Sequence, residues 1–327
     1  MNRVAAYLAA HPELAARDGL GVGRQPSCVL LTPRFRGSRH VIVLVLGRGG
    51  AQPVLVGKLP RLAGDGGALA SEARNLRAVE RALPGGDTGT VPSVVAFDGD
   101  PAYPLLLEKA LVGRALSPAA VRGDRDRIVG AVEAWLRRLG AATAARPRDE
   151  DWYERLVSEP LRELARAPGQ TAAVQEMVAR TLGAAEVLRA WDLPLVFEHG
   201  DFCHPNLVLL ADGRVGVLDW ERADPAGLPA YDLLCFLAYA AWTRRRVRDR
   251  EAGMRAAFFG RRSWAWRAAE RYTDSLGIDR VLLAPLLAVS CARALARSAP
   301  AARLVPLWRD ALREVAPAPG SAARGSR

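Results

Sequence analysis

Phe197-Glu198-His199-Gly200-Asp201-Phe202-Cys203-His204-Pro205-Asn206, followed by Val215-Gly216-Val217-Leu218-Asp219-Trp220-Glu221, is the stretch on which the reading of this chain turns. A short apolar run, Leu195-Val196-Phe197, leads into a polar loop. Leu207 to Leu210 and Val215 to Leu218 then read as a hairpin around Asp212-Gly213. Polar residues held between apolar strands point to a site carried by a rigid frame. Asp201 and Asn206 share the loop, and Asp219 follows the hairpin that returns the chain to it. Two acids and one amide oxygen therefore converge. Hard oxygen ligands of this kind suit Mg²⁺. The competing reading of an Asp/Asn/Asp set is loop capping and turn formation.

Working outward, residues 2–17 read as a helix with Val4 and Leu8 on one face. Ser27 to Leu31, His40 to Leu46 and Pro53 to Leu59 read as strands, the last two joined by the hairpin signal Gly47-Arg48-Gly49-Gly50. A Gly-rich loop leads into a helix from Ala68 to Leu83, which Pro84-Gly85-Gly86 stops. Val91 to Phe97 and Leu105 to Lys109 read as a further strand pair. Helical periodicity dominates from Ala119 to Ala190, with breaks at Pro147 and Pro168, and again from the second hairpin to Val315. No internal repeat is present. This order predicts an α+β protein of two lobes with a cleft between them. The lobes are expected over residues 1–110, with a sheet and one helix behind an N-terminal helix, and over residues 111–316. A tail at 317–327 is expected to be disordered.

Composition narrows the function. The 327 residues are 50% hydrophobic and 25% charged, ordinary globular values that exclude a disordered or fibrous chain. No apolar run approaches the ~20 residues needed to cross a bilayer, and the N-terminus has no signal-peptide pattern, so a cytoplasmic protein with no membrane partner is expected. Cys28, Cys203, Cys235 and Cys291 are scattered and form no CxxC pair, which argues against a disulfide framework or a zinc site. The net charge of +11 is uneven: residues 221–327 hold nineteen arginines against ten acids, a net of +9. That excess reads either as a solvated helix face or as a surface that attracts anions. Only two lysines occur, Lys58 and Lys109, so a surviving lysine marks a place where a compact ammonium is needed.

The run HGDFCHPN at 199–206, with Asp219-Trp220-Glu221 thirteen residues after its last residue, resembles the aminoglycoside phosphotransferase and choline-kinase-like family. This is a branch of the protein-kinase-like fold, whose catalytic loop has an analogous H-x-D-x-x-x-x-N spacing. The resemblance continues through Gly227-Leu228-Pro229-Ala230-Tyr231-Asp232-Leu233, similar to the family's G-x-P-x-x-D-L segment. Upstream it reaches Lys58 and the helix near Glu72, and so covers most of residues 27–240. It implies a small β-rich N-terminal nucleotide-binding lobe and a larger, mostly helical lobe. It also implies an ATP- and Mg²⁺-dependent O-phosphotransferase. Asp201 would accept the proton of the acceptor hydroxyl or orient that hydroxyl, and His199 would brace the loop. Asn206 and Asp219 would bind Mg²⁺, and Asp232 would support the loop by hydrogen bonding. Lys58 would reach the α- and β-phosphates and pair with a helix carboxylate, either Glu72, near the centre of the stripe Leu69, Leu76, Val79 and Leu83, or Glu80. Backbone groups from Glu108 through Ala110 to Leu111 would meet the adenine edge. The loop over the phosphates, near Arg34 to Arg39, departs from the protein-kinase pattern: it has no G-x-G-x-x-G, and Ser38 is its candidate phosphate contact.

Other residues stay open. Cys203 and His204 read as loop spacers rather than metal ligands with His199. Trp264 and Trp266, among arginines, read as helix packing rather than base stacking. Glu221 faces either metal or acceptor. The C-terminal helices would build the acceptor pocket. A polycation near their +9 costs energy, so a neutral or anionic small-molecule alcohol is expected: a sugar, nucleoside or natural product rather than a polycationic aminoglycoside. A local acidic pocket from Glu221, Asp224 and Asp249 is what would reverse this. A second reading is a kinase for Ser/Thr of an acidic precursor peptide in natural-product biosynthesis. A third is a non-catalytic nucleotide-binding scaffold, against which the intact Asp201, Asn206, Asp219 and Lys58 argue. No nucleic-acid partner is expected, since no such motif occurs.

Overall fold

The computed structural model describes residues 2–16, 21–22, 26–31, 39–50, 52–83, 85–147, 151–243, 250–261, 263–297 and 299–315. Ser38 and most of the expected phosphate loop, Asp249, the arginines at 244, 245, 246, 248 and 262, and the expected disordered tail at 317–327 lie outside the described residues.

In chain order the elements are α1 (Arg3–Ala10), α2 (Pro12–Ala16), β1 (Ser27–Leu31), β2 (His40–Leu46), β3 (Pro53–Pro60), α3 (Gly67–Ala82), β4 (Val94–Asp98), β5 (Leu105–Lys109) and β6 (Arg114–Ala115). There follow α4 (Pro118–Gly123), α5 (Arg125–Thr143), α6 (Glu159–Arg166), α7 (Ala172–Ala190), β7 (Val196–Glu198), β8 (Leu207–Leu209), β9 (Val215–Val217) and β10 (Asp224–Gly227). The chain closes with α8 (Tyr231–Trp242), α9 (Arg250–Phe259), α10 (Trp264–Ser275), α11 (Leu283–Arg297) and α12 (Val305–Glu314). It divides into two compact units: Met1–Leu116 with His204–Pro225, and Ser117–Cys203 with Ala226–Arg327.

Alternation along three strands builds the first unit. Its main sheet has the order β1-β2-β3-β5-β4, with every neighbouring pair antiparallel. Successive side chains on a strand point to opposite faces. Val43 and Val45 of β2, Leu55 of β3, and Leu105 and Leu107 of β5 therefore share one face, and they pack with Val4 and Leu8 of α1 in one buried cluster. Gly57 is what lets α1 lie so close: a β-carbon there would stand 2.6 Å from Val4 Cγ2. The opposite face presents Val56, Lys58, Leu106 and Glu108, as the pairs Val56↔Glu108 and Lys58↔Leu106 require. A second, three-stranded sheet has the order β6-β8-β9.

Two local expectations shift, and the short strand β6 is unforeseen. The helix expected over 2–17 splits at His11, whose ψ of 67° is not helical, because the ring of Pro12 disfavours the helical region for the residue before it. β4 begins at Val94 rather than Val91, after a 3₁₀ segment at Gly85–Thr90; Pro92 has no N–H to give to a ladder. β6 is only two residues long, too short for an alternation pattern to reveal it.

The second unit is helical, with apolar residues at helical spacing facing inward. Ile128, Val132, Trp135 and Leu139 form such a stripe on α5, and α8 and the first three turns of α11 are buried almost throughout. Trp308 of α12 donates its indole N–H to Thr181 of α7 at 2.8 Å, which satisfies two buried polar groups at once. Among the described residues no helix is long and apolar enough to cross a membrane.

Candidate active site

In the first unit, the polar face of the main sheet meets α3. Lys58 is buried, and its ammonium lies 2.5 Å from Glu72 Oε1 and 3.1 Å from Glu108 Oε1. A buried charge needs partners of this kind to offset lost hydration. Burial alone would lower the lysine's pKa, but Glu108, Glu72 and Asp219 together hold it well above the usual range. Glu80, the other candidate for Lys58, instead accepts from the Ser93 hydroxyl at 2.6 Å. Glu108 is pushed up to about 7 by burial and by Glu72, against the pull of Lys58. Two carboxylates contact one ammonium here, and the charge of Asp219 acts on it as well.

The same Glu72 Oε1 accepts the backbone N–H of Trp220 at 3.2 Å. Three residues along α3, Asn75 donates to the carbonyls of Trp220 and Ala223 at 2.9 and 3.2 Å. α3 thus clamps the backbone directly after Asp219. Asp219 itself has a φ of 65°, in the left-handed region that few non-glycine residues adopt, so this clamp holds a strained residue in place. Leu218 donates its N–H to the Asn206 carbonyl at 2.8 Å, which sets Asn206 and Asp219 at the same end of the β8–β9 hairpin. Oδ1 of Asp219 is buried with no hydrogen-bond partner. A buried carboxylate oxygen left this way is costly unless a cation meets it. Among the described residues no group of three or more His, Cys, Asp or Glu side chains could hold a metal by itself. One carboxylate and one amide nonetheless fit Mg²⁺, which keeps waters and substrate phosphates as its remaining ligands.

Glu221 lies 3.9 Å from His40 Nδ1 and 3.8 Å from Arg222 Nε. Burial and the Asp219 charge raise its pKa. At the expected adenine edge, the backbone of Glu108 lies in the ladder between β3 and β4, and the Ala110 N–H donates to the Val54 carbonyl at 3.0 Å.

In the second unit, the loop that carries Asp201 is held from below. Asp232, at the start of α8, accepts the backbone N–H groups of His199 at 2.6 Å and Gly200 at 3.0 Å. Burial and the neighbouring Glu198 push Asp232 up to about 7, although both hydrogen bonds favour its ionised form. His199 is fully buried, and its Nδ1 accepts the Asp201 N–H at 3.2 Å, which leaves the ring proton on Nε2. Phe202 stacks on Trp135 and meets His199 edge-on, so the loop is pinned by an aromatic cluster. Cys203 lies with Sγ 3.6 Å from Asp201 Oδ1; burial and that carboxylate push its thiol up to about 12, far from a reactive thiolate.

Two features were not foreseen from the sequence. The sequence points to the backbone of Glu108, yet its carboxylate is the second partner of Lys58; a lone acid closing the apolar run Leu105-Leu106-Leu107 is the signal for it. Glu198, the residue before His199, is fully buried and accepts from Arg293 at 2.9 and 3.0 Å, from Arg297 at 3.3 Å, and from the Leu228 N–H at 3.0 Å. Arg297 also donates to the Gly200 carbonyl at 3.1 Å, which ties this network to the residue beside Asp201. An arginine inside the apolar helix α11 was the signal here.

The model of a family described as the phosphotransferase enzyme family (APH) matches residues 38–272. No curated protein sequence matches at a significant level. Similar solved structures include the amicoumacin kinase hAmiN in complex with AMP-PNP, Ca²⁺ and Ami, at 12% identity over 97% of each chain with a TM-score of 0.54. They include the choline kinase LicA from Streptococcus pneumoniae, at 11% identity over 94% of this chain and 98% of that one with a TM-score of 0.53. They also include the GDP complex of wild-type aminoglycoside 2'-phosphotransferase-IIIa, at 12% identity over 96% of this chain and 97% of that one with a TM-score of 0.53. At these identities the likeness shows the fold, an α+β fold of the protein-kinase-like kind.

Proposed function

The chain belongs to the phosphotransferase enzyme family, a family of enzymes with an alcohol group as acceptor, and on that premise we propose that it transfers the γ-phosphoryl group of ATP, with Mg²⁺, to a hydroxyl of a small molecule. One observation carries this reading. The buried ammonium of Lys58 and the backbone that follows Asp219 are held by the same carboxylate oxygen, Glu72 Oε1. A fixed cation and a fixed metal-binding acid are what phosphoryl transfer asks of a protein, because its work is alignment and charge neutralisation rather than covalent chemistry.

Each residue then has a task. Lys58 meets the α- and β-phosphates, and Glu72 and Glu108 hold it extended. Asn206 and Asp219 would hold Mg²⁺, which when bound neutralises charge on the phosphates. Asp201 accepts the proton of the acceptor hydroxyl or orients it, while His199 and Asp232 fix the loop around it. The +9 of residues 221–327 favours a neutral or anionic acceptor over a polycation. A small-molecule acceptor is supported by the similar kinases, whose names refer to choline, aminoglycoside and amicoumacin.

The test is ADP release with Mg²⁺ and ATP across a panel of sugars, nucleosides and hydroxylated natural products. Asp201→Ala is expected to lower turnover with any accepted alcohol by at least about 10²-fold, the scale of a general-base contribution. A variant that keeps wild-type turnover removes Asp201 from this role.

A further inference from the structure

The helical unit contains a cavity of about 890 Å³, set among α4, the start of α5, the end of α8, α9 and the first residue of α10. Small residues line it, among them Ala240, Ala241, Gly253 and Ala256. The volume suits a ligand of drug-like size.

The wall is cationic. Arg122 and Arg261 both line the cavity, and neither is ion-paired among the described residues. Arg122 is oriented by donating to the Thr243 carbonyl at 3.1 Å. Asp126 and Asp124 also line the cavity, but Arg125 takes the first at 2.7 Å and Arg127 the second at 3.4 Å. Trp264 adds an aromatic wall, with the Arg125 guanidinium 4.8 Å over its ring. Among the described lining residues the charge left over is therefore positive.

α8 joins this cavity to the catalytic loop. At its start Asp232 holds His199 and Gly200; near its end Tyr239, next to the lining residue Ala240, feels both Cys203 and Arg122.

We propose that this cavity receives the body of the acceptor, and that the acceptor carries an acid group, carboxylate or phosphate, bound by Arg122 and Arg261. The guanidinium fork matches either anion. The word acceptor rests on the phosphotransferase reading; the anion site does not.

The experiment is calorimetric binding of three matched probes to the full chain without nucleotide: glucose, glucuronate and glucose 6-phosphate. At least one acid is expected to bind about tenfold or more tightly than glucose, and the two acids separate carboxylate from phosphate. Arg122→Gln with Arg261→Gln should reduce the acid to the level of glucose. Ala256→Phe, placed on an exposed position of α9, should fill the cavity without entering the core and weaken the acid by about tenfold or more. It also serves, with Arg261→Gln alone, if Arg122→Gln fails to fold. Equal binding of all three probes, no binding of either acid, or acid binding indifferent to these variants overturns the proposal. Because the readout is binding, a working phosphotransferase without affinity for the acids sinks this proposal alone, and acid binding without any phosphoryl transfer sinks the function alone.

Discussion

Arg293 holds Glu198 by two parallel hydrogen bonds, Nη1 to Oε2 at 2.9 Å and Nη2 to Oε1 at 3.0 Å, with both side chains at most 1% exposed. The pair lies at the root of the loop that carries Asp201, and Arg297 bridges from it to the Gly200 carbonyl. Both arginines also lie over the Tyr231 ring, at 4.4 and 5.2 Å. Removing Arg293 leaves the buried Glu198 with only the longer contact to the partly exposed Arg297 and the Leu228 N–H. Arg293→Met is therefore expected to cost about 3–5 kcal/mol in urea unfolding, and adding Glu198→Gln in the same chain should recover part of that loss. A cost near zero for Arg293→Met would show that the pair does not anchor the loop.

Glu108 makes stability depend on pH. Its pKa in the folded chain is raised from 4.5 to about 7, burial being the main cause. Between those values the folded chain keeps a proton that the unfolded chain has released. Its contribution to stability is thus complete below about 4.5 and is lost as pH rises through about 7. Unfolding free energies of wild type and Glu108→Gln, compared across this window, should converge or cross at a slope on the order of 1 kcal/mol per pH unit. Parallel curves would mean that Glu108 stays ionised beside Lys58.

Asp219 is the residue whose loss should separate nucleotide from metal. Asn tolerates the left-handed backbone that Asp219 adopts, so Asp219→Asn should fold and keep the hydrogen bonds that Glu72 and Asn75 make to Trp220. What it loses is the charge at the unpartnered Oδ1. Mg²⁺ with ATP is expected to raise the wild-type melting temperature, as any ligand bound only by the native state does. For Asp219→Asn, adding Mg²⁺ to ATP should give little further rise. An undiminished Mg²⁺ effect would place the metal elsewhere.

How much of this was readable in the sequence depends on the range of the interaction. The strands of the main sheet were legible because alternation is local: Val43 and Val45 face one way, Ile42 and Leu44 the other. Asn206 and Asp219 were legible because a short hairpin returns one to the other. The Glu198–Arg293 pair spans 95 residues, and nothing along the chain states that the acid before His199 meets the arginine of a distant helix. The partner of Lys58 stayed open between Glu72 and Glu80 because both lie near one stripe of α3; the packing of that helix against β3 separates them. The side-chain role of Glu108 was hidden because facing direction on β5 follows from its pairing with β3, which a single strand's pattern does not contain. Pro12 is a local signal that competes with the helical periodicity around it, and the break at His11 follows the proline.

The contact of α1 with the sheet can be tested by a double substitution. A β-carbon on Gly57 would stand 2.6 Å from Val4 Cγ2 and 3.3 Å from Val4 Cγ1. Gly57→Ala should therefore destabilise the chain by about 1–3 kcal/mol through overpacking, despite the usual gain from replacing glycine in a strand. Val4→Ala alone should also destabilise, since Val4 is fully buried. In the Val4→Ala background the added methyl enters the vacated space, so Gly57→Ala should cost less there or become favourable. The expected coupling, measured by chemical denaturation of the four chains, is about 1 kcal/mol or more. Additive effects would mean that α1 does not lie against Gly57 in solution.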